Sequence, residues 1–352
     1  MSTTLVVVPL RARRGVCLCP AEMAPQALGH GDAPPGSLCV EPDVAGALMR
    51  AAREDPDRVF VVSREPGDLE RARDVEASFP VVPVGLVDAG DPTRLERAGA
   101  WFLAADADEA ALLVSCPRMP LSVSLILVAF NEEECIGPAV LDAHRFGETY
   151  LANYEVVVVD DGSADATAER AIAAGDVRLV RHPVNRGMGA AIRSGYEAAR
   201  LAYVAHFPAD RQVRPQALVG MLPHVGEDRV VLSQYHHPPS GAARAQLSSV
   251  FRLIMRHLGG LEVDFAGTYV FHRRWLGLLH DGRTASDTFL FTFEWLQCLA
   301  DAGCAVTEVT IHNFPRQTGQ SRVLNAGRVA RVFGEILEHR LRTLRLRAGW
   351  GS

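Results

Sequence analysis

The chain has 352 residues, 48% of them apolar, and a formal net charge of -6. That is enough for two ordinary cores, and such mild acidity, with no long basic block ahead of the C-terminus, argues against a nucleic-acid partner. All 36 cationic side chains are arginine. The absence of lysine excludes Schiff-base chemistry and P-loop lysines, and it leaves planar arginine forks that suit phosphate oxygens. The seven cysteines include no C-x-x-C pair, Cys17 and Cys19 being the nearest two. Neither a disulfide framework nor a zinc site is implied. No charged n-region precedes an apolar h-region, and no apolar stretch is long enough to cross a bilayer, so a cytoplasmic protein with at most peripheral membrane contact is expected.

In chain order, the apolar runs LVVVPL, SLCV, RVFVVS, VVPVGLV and WFLAA alternate with helix-like stretches up to about Pro120. This alternation predicts a small Rossmann-like α/β unit over residues 1–118. Two prolines in CPRMP, Cys116 to Pro120, then mark a domain boundary ahead of a stronger strand.

The N-terminal unit resembles in rhythm the core of haloacid-dehalogenase-type phosphatases, through PDVAGALMRAAREDPDRVFVVSREP and LERAGAWFLAADADEAALLV. That family carries an Asp-x-Asp nucleophile after its first strand. The matching place here reads VCLCP, so a non-catalytic scaffold or binding domain is expected.

The second unit opens with VSLILVAFNEEECIGPAVLDAH, a nearly continuous apolar strand, a polar turn and a helix expected to carry an acidic first turn. YEVVVVDDGSADATAERAIAAG follows: a buried strand ending on two aspartates, a Gly-Ser turn and a helix from Ala164 onward. The rhythm repeats through VRLVRHP and YVAHFPAD, which predicts a mostly parallel sheet covered on both faces.

Open α/β sheets bind ligands at the carboxyl ends of their strands. The polar clusters Asn131 to Glu134, Asp160 to Ser163 and Asp210 to Gln212 all fall at such ends. One aspartate pair there could simply cap a helix, whereas three clusters in succession point to a site.

Together LILVAFNEEECI, VVVVDDGSADAT and RHPVNRGMGAAIRSGYEAA resemble the nucleotide-binding half of family 2 glycosyltransferases, with dolichol-phosphate mannose synthase and its polyprenyl-phosphate relatives the nearest pattern. The resemblance runs from about Leu121 to Arg322 and implies a GT-A fold over residues 119–326. It implies that Ala129, Asn131 and Glu132 border the nucleotide, that Asp160 and Asp161 hold base and ribose, and that Asn185, Gly187 and Gly189 form a turn approaching the donor. A plain helix N-terminus is the alternative for that turn. The family's metal motif, Asp-x-Asp followed by a residue and Gln, corresponds to PADRQ. Asp210 and Gln212 match, while Pro208 replaces the first aspartate. Magnesium or manganese held by Asp210, Gln212, diphosphate oxygens and water is expected, stabilising the leaving diphosphate.

Arg244 and Ser248 resemble the family's phosphate-contacting arginine and serine, although a further expected arginine is Gln234 here. Asp264 and Gly267 match the acceptor-side strand. Glu294 falls at the family's glutamate position, and Arg316, Gly319, Ser321 and Arg322 match its R-x-x-G-x-S-K signature with arginine for lysine. A loop bearing Arg316, Ser321 and Arg322 would close over phosphate and exclude water. A hydroxyl acceptor needs a general base, for which Glu294 is the first candidate and Asp287 the second; Glu294 could alternatively orient Arg316. A phosphate acceptor needs none.

Residues 327–352 read as a basic amphipathic helix, with Val329, Val332, Phe333, Ile336 and Leu337 on one face. It would rest on anionic lipid or pack on its own domain. The resemblance thus implies an inverting glycosyltransferase using a UDP- or GDP-sugar donor and a lipid-phosphate or small-molecule acceptor. A non-catalytic nucleotide-sugar-binding protein is the alternative that Pro208 suggests. A nucleotidyltransferase would carry a glycine-rich loop where this chain has FNEEE.

Overall fold

The computed structural model describes residues 118–235 and 267–314 continuously, and in the preceding part residues 17–18, 38–39, 59–63, 66–67, 69–70, 81–87, 92–105, 109–110, 112–113 and 116. The chain divides into two compact units, Met1–Met119 and Pro120–Ser352.

In the first unit, β1 (Cys17–Leu18) pairs in parallel with β2 (Leu38–Cys39). A second parallel sheet runs β3-β4-β5, from Val59–Ser63, Val81–Leu86 and Phe102–Ala104, with helix α1 (Pro92–Arg97) between its last two strands. SLCV, RVFVVS, VVPVGLV and WFLAA are therefore strands, while LVVVPL lies outside the described residues. Val62, Val84, Leu95 and Phe102 to Ala104 are buried. Gly85 is required by packing, because a Cβ there would lie 2.9 Å from Leu95 Cβ.

The second unit is organised around a seven-stranded sheet. Its strands are β6 (Met119–Ala129), β7 (Leu151–Asp160), β8 (Arg178–Arg181), β9 (Tyr203–Pro208), β10 (Arg229–Tyr235), β11 (Tyr269–His272) and β12 (Ala305–Ile311), in spatial order β12-β10-β11-β9-β6-β7-β8. The β6–β9, β7–β8 and β10–β12 pairings are parallel, and only β11 runs antiparallel to its neighbours β9 and β10 among the described pairings. Val156 to Val159 and Leu125 to Leu127 are almost wholly buried. Continuous apolar runs of this kind belong to strands covered on both faces.

The covering helices are α2 (Ile136–Tyr150), α3 (Thr167–Ala174), α4 (Met188–Ala198) and α5 (Leu290–Asp301). Every residue of α5 from Leu290 to Leu299 is buried, as its nearly uniform apolar sequence requires. Trp295 and Phe291 pack there against Tyr196 and Phe271, with Tyr196–Phe271 centroids 4.9 Å apart. Beneath them His206 is fully enclosed: its Nδ1 lies 2.8 Å from Tyr196 Oη, and burial lowers its pKa to about 4.

Two expectations are corrected. Helix α2 begins at Ile136 and has no acidic residue in its first turn, because Glu132 to Glu134 are used in the turn before it. Helix α3 begins at Thr167 rather than Ala164, the intervening residues bending to meet the preceding loop.

Candidate active site

Three turns leave the carboxyl edge of the sheet side by side. Ala209 donates its N–H to Val128 O at 3.0 Å and Asp161 donates to Ala129 O at 2.9 Å, so the ends of β9 and β7 are both fastened to the end of β6. The Asn131, Asp160 and Asp210 clusters accordingly lie along one edge, as the strand pattern predicts.

The first two turns are stitched together. Asn131, at φ 53°, donates its N–H to Ser163 Oγ and accepts the Ala164 N–H on Oδ1, both at 2.9 Å. Asparagine tolerates this left-handed conformation better than most residues. Glu132 N–H donates to Thr167 Oγ1 at 2.9 Å, and Glu133 N–H to Asp165 Oδ2 at 3.2 Å. Burial alone pushes the Asp165 carboxyl up, but hydrogen bonds from Thr167 and the Glu133 N–H outweigh it and hold the group below its ordinary value.

Asp160 and Asp161 are both buried, and their surroundings differ. Asp161 Oδ1 faces His182 Nδ1 at 2.7 Å and accepts the Arg186 N–H at 2.9 Å, while its Oδ2 accepts the Gly187 N–H at 2.8 Å. Ser194 Oγ lies 2.9 Å from the far nitrogen of His182. Asp160 Oδ1 takes the Ser163 N–H at 2.9 Å, but its Oδ2 has no hydrogen-bond partner. The half-exposed Arg181 stands 3.1 Å from that oxygen as an ion pair without hydrogen-bond alignment. A buried carboxylate oxygen left this way is costly unless something else meets it. Of the two aspartates, Asp160 is the one with an oxygen to offer.

The glycine turn packs against a loop that its sequence did not indicate. Gly187 has φ 105°, and a Cβ there would lie 2.3 Å from Asp287 O; at Gly189 a Cβ would lie 2.3 Å from Thr288 O. The missing side chains of these glycines make room for the 286–288 backbone. Asn185 is exposed at the start of this turn.

Past β9, Asp210 is partly buried, and its Oδ1 accepts the Gln212 N–H at 3.1 Å. Gln212 O in turn accepts from Phe314 N at 2.9 Å. Arg211, between them, is at φ 58° and buries its guanidinium against Asp142 of α2, Nε to Oδ2 2.8 Å. Among the described residues no group of three or more His, Cys, Asp or Glu side chains is arranged to hold a metal ion. One carboxylate and an amide are hard oxygen donors fit to anchor a magnesium or manganese ion whose remaining ligands come from elsewhere.

Glu294 is almost fully enclosed, with Oε2 accepting the N–H groups of Ala285 and Ser286, both at 2.8 Å. Asp287 is 55% exposed, with Oδ1 3.1 Å from Arg193 Nη1. Gln234 donates its side-chain amide to Glu308. Arg244, Ser248, Asp264, Arg316, Gly319, Ser321, Arg322 and the expected helix over 327–352 lie outside the described residues. Missed from sequence were His182, Arg193 and Arg211. His182 stands one residue past the end of β8 and Arg211 between two candidate ligands, and only their partners reveal what they do.

The family model that matches is that of glycosyl transferase family 2, over residues 124–278. Residues 124–278 carry a family 2 glycosyltransferase domain. The mostly parallel sheet is that of the GT-A architecture the motifs implied. The glycosyltransferase domain is similar to dodecaprenyl-phosphate galacturonate synthase of Rhizobium johnstonii, 32% identical over 30% of this chain and 33% of that protein. It is also similar to dolichyl-phosphate beta-glucosyltransferase of Drosophila melanogaster, 31% identical over 39% of this chain and 47% of that protein. The chain thus spans between a third and a half of the length of these curated relatives. Among solved structures it is similar to glucosyl-3-phosphoglycerate synthase of Mycobacterium tuberculosis, at 22% identity and TM-score 0.49 over 62% of this chain and 80% of that one. Among the described residues no helix of the domain or its neighbour is long and apolar enough to cross a membrane.

Proposed function

We propose that the chain is an inverting glycosyltransferase that moves a sugar from a nucleoside-diphosphate sugar to a phosphate or hydroxyl acceptor, with polyprenyl phosphate the favoured acceptor class. The observation that carries this reading is the buried Asp160, whose Oδ2 is ion-paired to Arg181 but accepts no hydrogen bond, on the sheet edge that also bears Asp210. An imino or hydroxyl hydrogen of a nucleoside would satisfy that oxygen. The family 2 match supports the donor class, and the names of the relatives support a lipid-phosphate acceptor.

In this reading Asp160 receives the nucleoside, with Ala129, Asn131 and Glu132 forming the turn beside it. Asp161 works inward, fixing the 186–187 turn through two backbone N–H bonds while its Oδ1 also faces His182. Asp210, with Gln212, holds the divalent cation, which supplies charge stabilisation to the departing diphosphate. Arg316, Ser321 and Arg322, with Arg244 and Ser248, match family residues that would add cationic and hydroxyl contacts to phosphate. The acceptor oxygen displaces the nucleoside diphosphate in line at the anomeric carbon, inverting it. A phosphate acceptor is already ionised at neutral pH. For a hydroxyl acceptor the exposed Asp287 takes over from the enclosed Glu294 as the favoured base, since a base must reach the proton it removes.

Pro208 in place of a metal-motif aspartate favours a second reading, a nucleotide-sugar sensor without turnover. A thermal-shift panel of UDP- and GDP-sugars with and without Mn2+, followed by assay for nucleotide release, separates the two. One donor should raise Tm, more so with Mn2+, and be turned over. Stabilisation without nucleotide release supports the sensor, and no stabilisation by any donor contradicts both.

A further inference from the structure

Residues 284–288 join a 3-10 helix (Arg273–His280) and its following turn to α5 without regular structure, yet their peptide groups are gripped from two sides. From α4, Arg193 Nη2 donates to Thr284 O at 3.1 Å and Ser286 O at 3.0 Å, while Nη1 donates to Asp287 Oδ1 at 3.1 Å. The guanidinium carbon sits 5.0 Å from the centre of the Phe291 ring. From α5, Glu294 Oε2 accepts the N–H groups of Ala285 and Ser286. The cation thus holds carbonyls and the anion holds amides of the same short loop.

The loop is also locked to the donor-side turn. Gly189 N–H donates to Asp287 O at 2.9 Å, and the missing side chains of Gly187 and Gly189 leave the space that the 286–288 carbonyls occupy. Gly187 is itself bound to Asp161 through its N–H. A continuous set of contacts therefore runs from Asp161 through the glycine turn to Asp287. Its result is that Asp287 keeps an exposed carboxylate on a backbone held by Arg193, Glu294 and Gly189, while the Arg193 side chain is only 18% exposed.

We propose that Arg193 and Glu294 are positioning residues that hold Asp287 beside the donor turn, where its carboxylate takes the proton of a hydroxyl acceptor or of water. The proposal rests on the glycosyltransferase reading and deepens it. Arginine is needed at 193 because a planar fork spans two carbonyls and a carboxylate at once, which an ammonium on a flexible stem does not.

The test is a double-mutant cycle on the full chain between Arg193→Met and Asp287→Asn. It is read as kcat and KM for nucleotide release, with Mn2+, from whichever of UDP-glucose, UDP-galactose and GDP-mannose the wild type hydrolyses. Arg193→Met should lower kcat about 10- to 100-fold with KM within about two-fold, the cost expected of a misplaced group. Adding it to Asp287→Asn should cost almost nothing more, because both changes remove one function. Should Arg193→Met fail to fold, Arg193→Lys serves, with hydrogen exchange at the Ala285 and Ser286 amides expected to quicken as kcat falls. Multiplicative losses in the double variant, or unchanged kcat in a folded Arg193→Lys whose loop amides exchange faster, overturn the positioning role alone. A wild type inert with all three donors overturns the glycosyltransferase reading and this inference with it.

Discussion

Two adjacent aspartates at the end of β7 do different work because successive strand side chains point to opposite faces. Asp160 retains an oxygen without a hydrogen bond, whereas Asp161 has spent both of its own on His182 and the 186–187 backbone. Glu294 offers a similar contrast with Asp287, seven residues earlier. Its enclosed carboxylate serves two backbone N–H groups, a task that a neutral amide oxygen can also perform. Glu294→Gln should therefore keep at least about a third of wild-type kcat, while Glu294→Ala, leaving two buried donors unmet, should lose about 2 kcal/mol of stability or more. Steady-state assay and urea denaturation check both, and a Gln variant reduced a thousand-fold would restore Glu294 as the base. The motifs DDGS and FNEEE made the edge of the site legible in sequence. Which aspartate keeps an oxygen without a hydrogen bond was not legible, because it depends on His182 and a turn more than twenty residues away.

At the scale of elements, apolar runs predict the strands well because a parallel sheet buries both faces and leaves a simple signature. Helix starts are less legible. Glu132 to Glu134 look like a first helical turn, but Glu132 and Glu133 give their N–H groups to Thr167 and Asp165, contacts that no local pattern encodes. The glycine turn was legible as a turn, yet its partner was not, since residues 286–288 lie about a hundred positions away. Gly189→Ala makes the consequence measurable. Its Cβ would face Thr288 O at 2.3 Å and Ser286 O at 2.7 Å, both backbone atoms. Overpacking of this kind costs about 1–3 kcal/mol, so Tm should fall by roughly 3–10 °C. Activity should fall with it. An unchanged Tm would show that the loop is not seated on the turn.

At the scale of the whole molecule, the second unit places its chemistry on one edge and its aromatic packing beneath. His206 connects the two, lying on β9, the strand that delivers Asp210, and enclosed by Tyr196 and Tyr269. Burial lowers its pKa from 6.5 to about 4, so between those values the unfolded chain binds a proton that the folded one does not. Stability must then rise with pH across that window, and the contribution is fully present above about pH 6.5 and lost as pH falls toward 4. Going from pH 7 to pH 5, this one group should lower the unfolding free energy by about 2 kcal/mol, and His206→Gln should show a correspondingly flatter profile. Denaturant titrations at the two pH values decide it, and parallel wild-type and variant profiles would place the sensitivity elsewhere.

The central claim is that Asp210 and Asp160 serve one bound nucleotide sugar and its cation. Its most direct measurement is Mn2+-dependent nucleotide release by wild type, Asp210→Ala and Asp160→Asn, with donor binding followed by thermal shift. The account predicts wild-type release that EDTA abolishes, an Asp210→Ala protein that folds and still binds donor without Mn2+ but turns over at least about a hundred-fold more slowly, and an Asp160→Asn protein with weakened donor binding. Undiminished release by Asp210→Ala, or donor binding indifferent to Asp160→Asn, would contradict it.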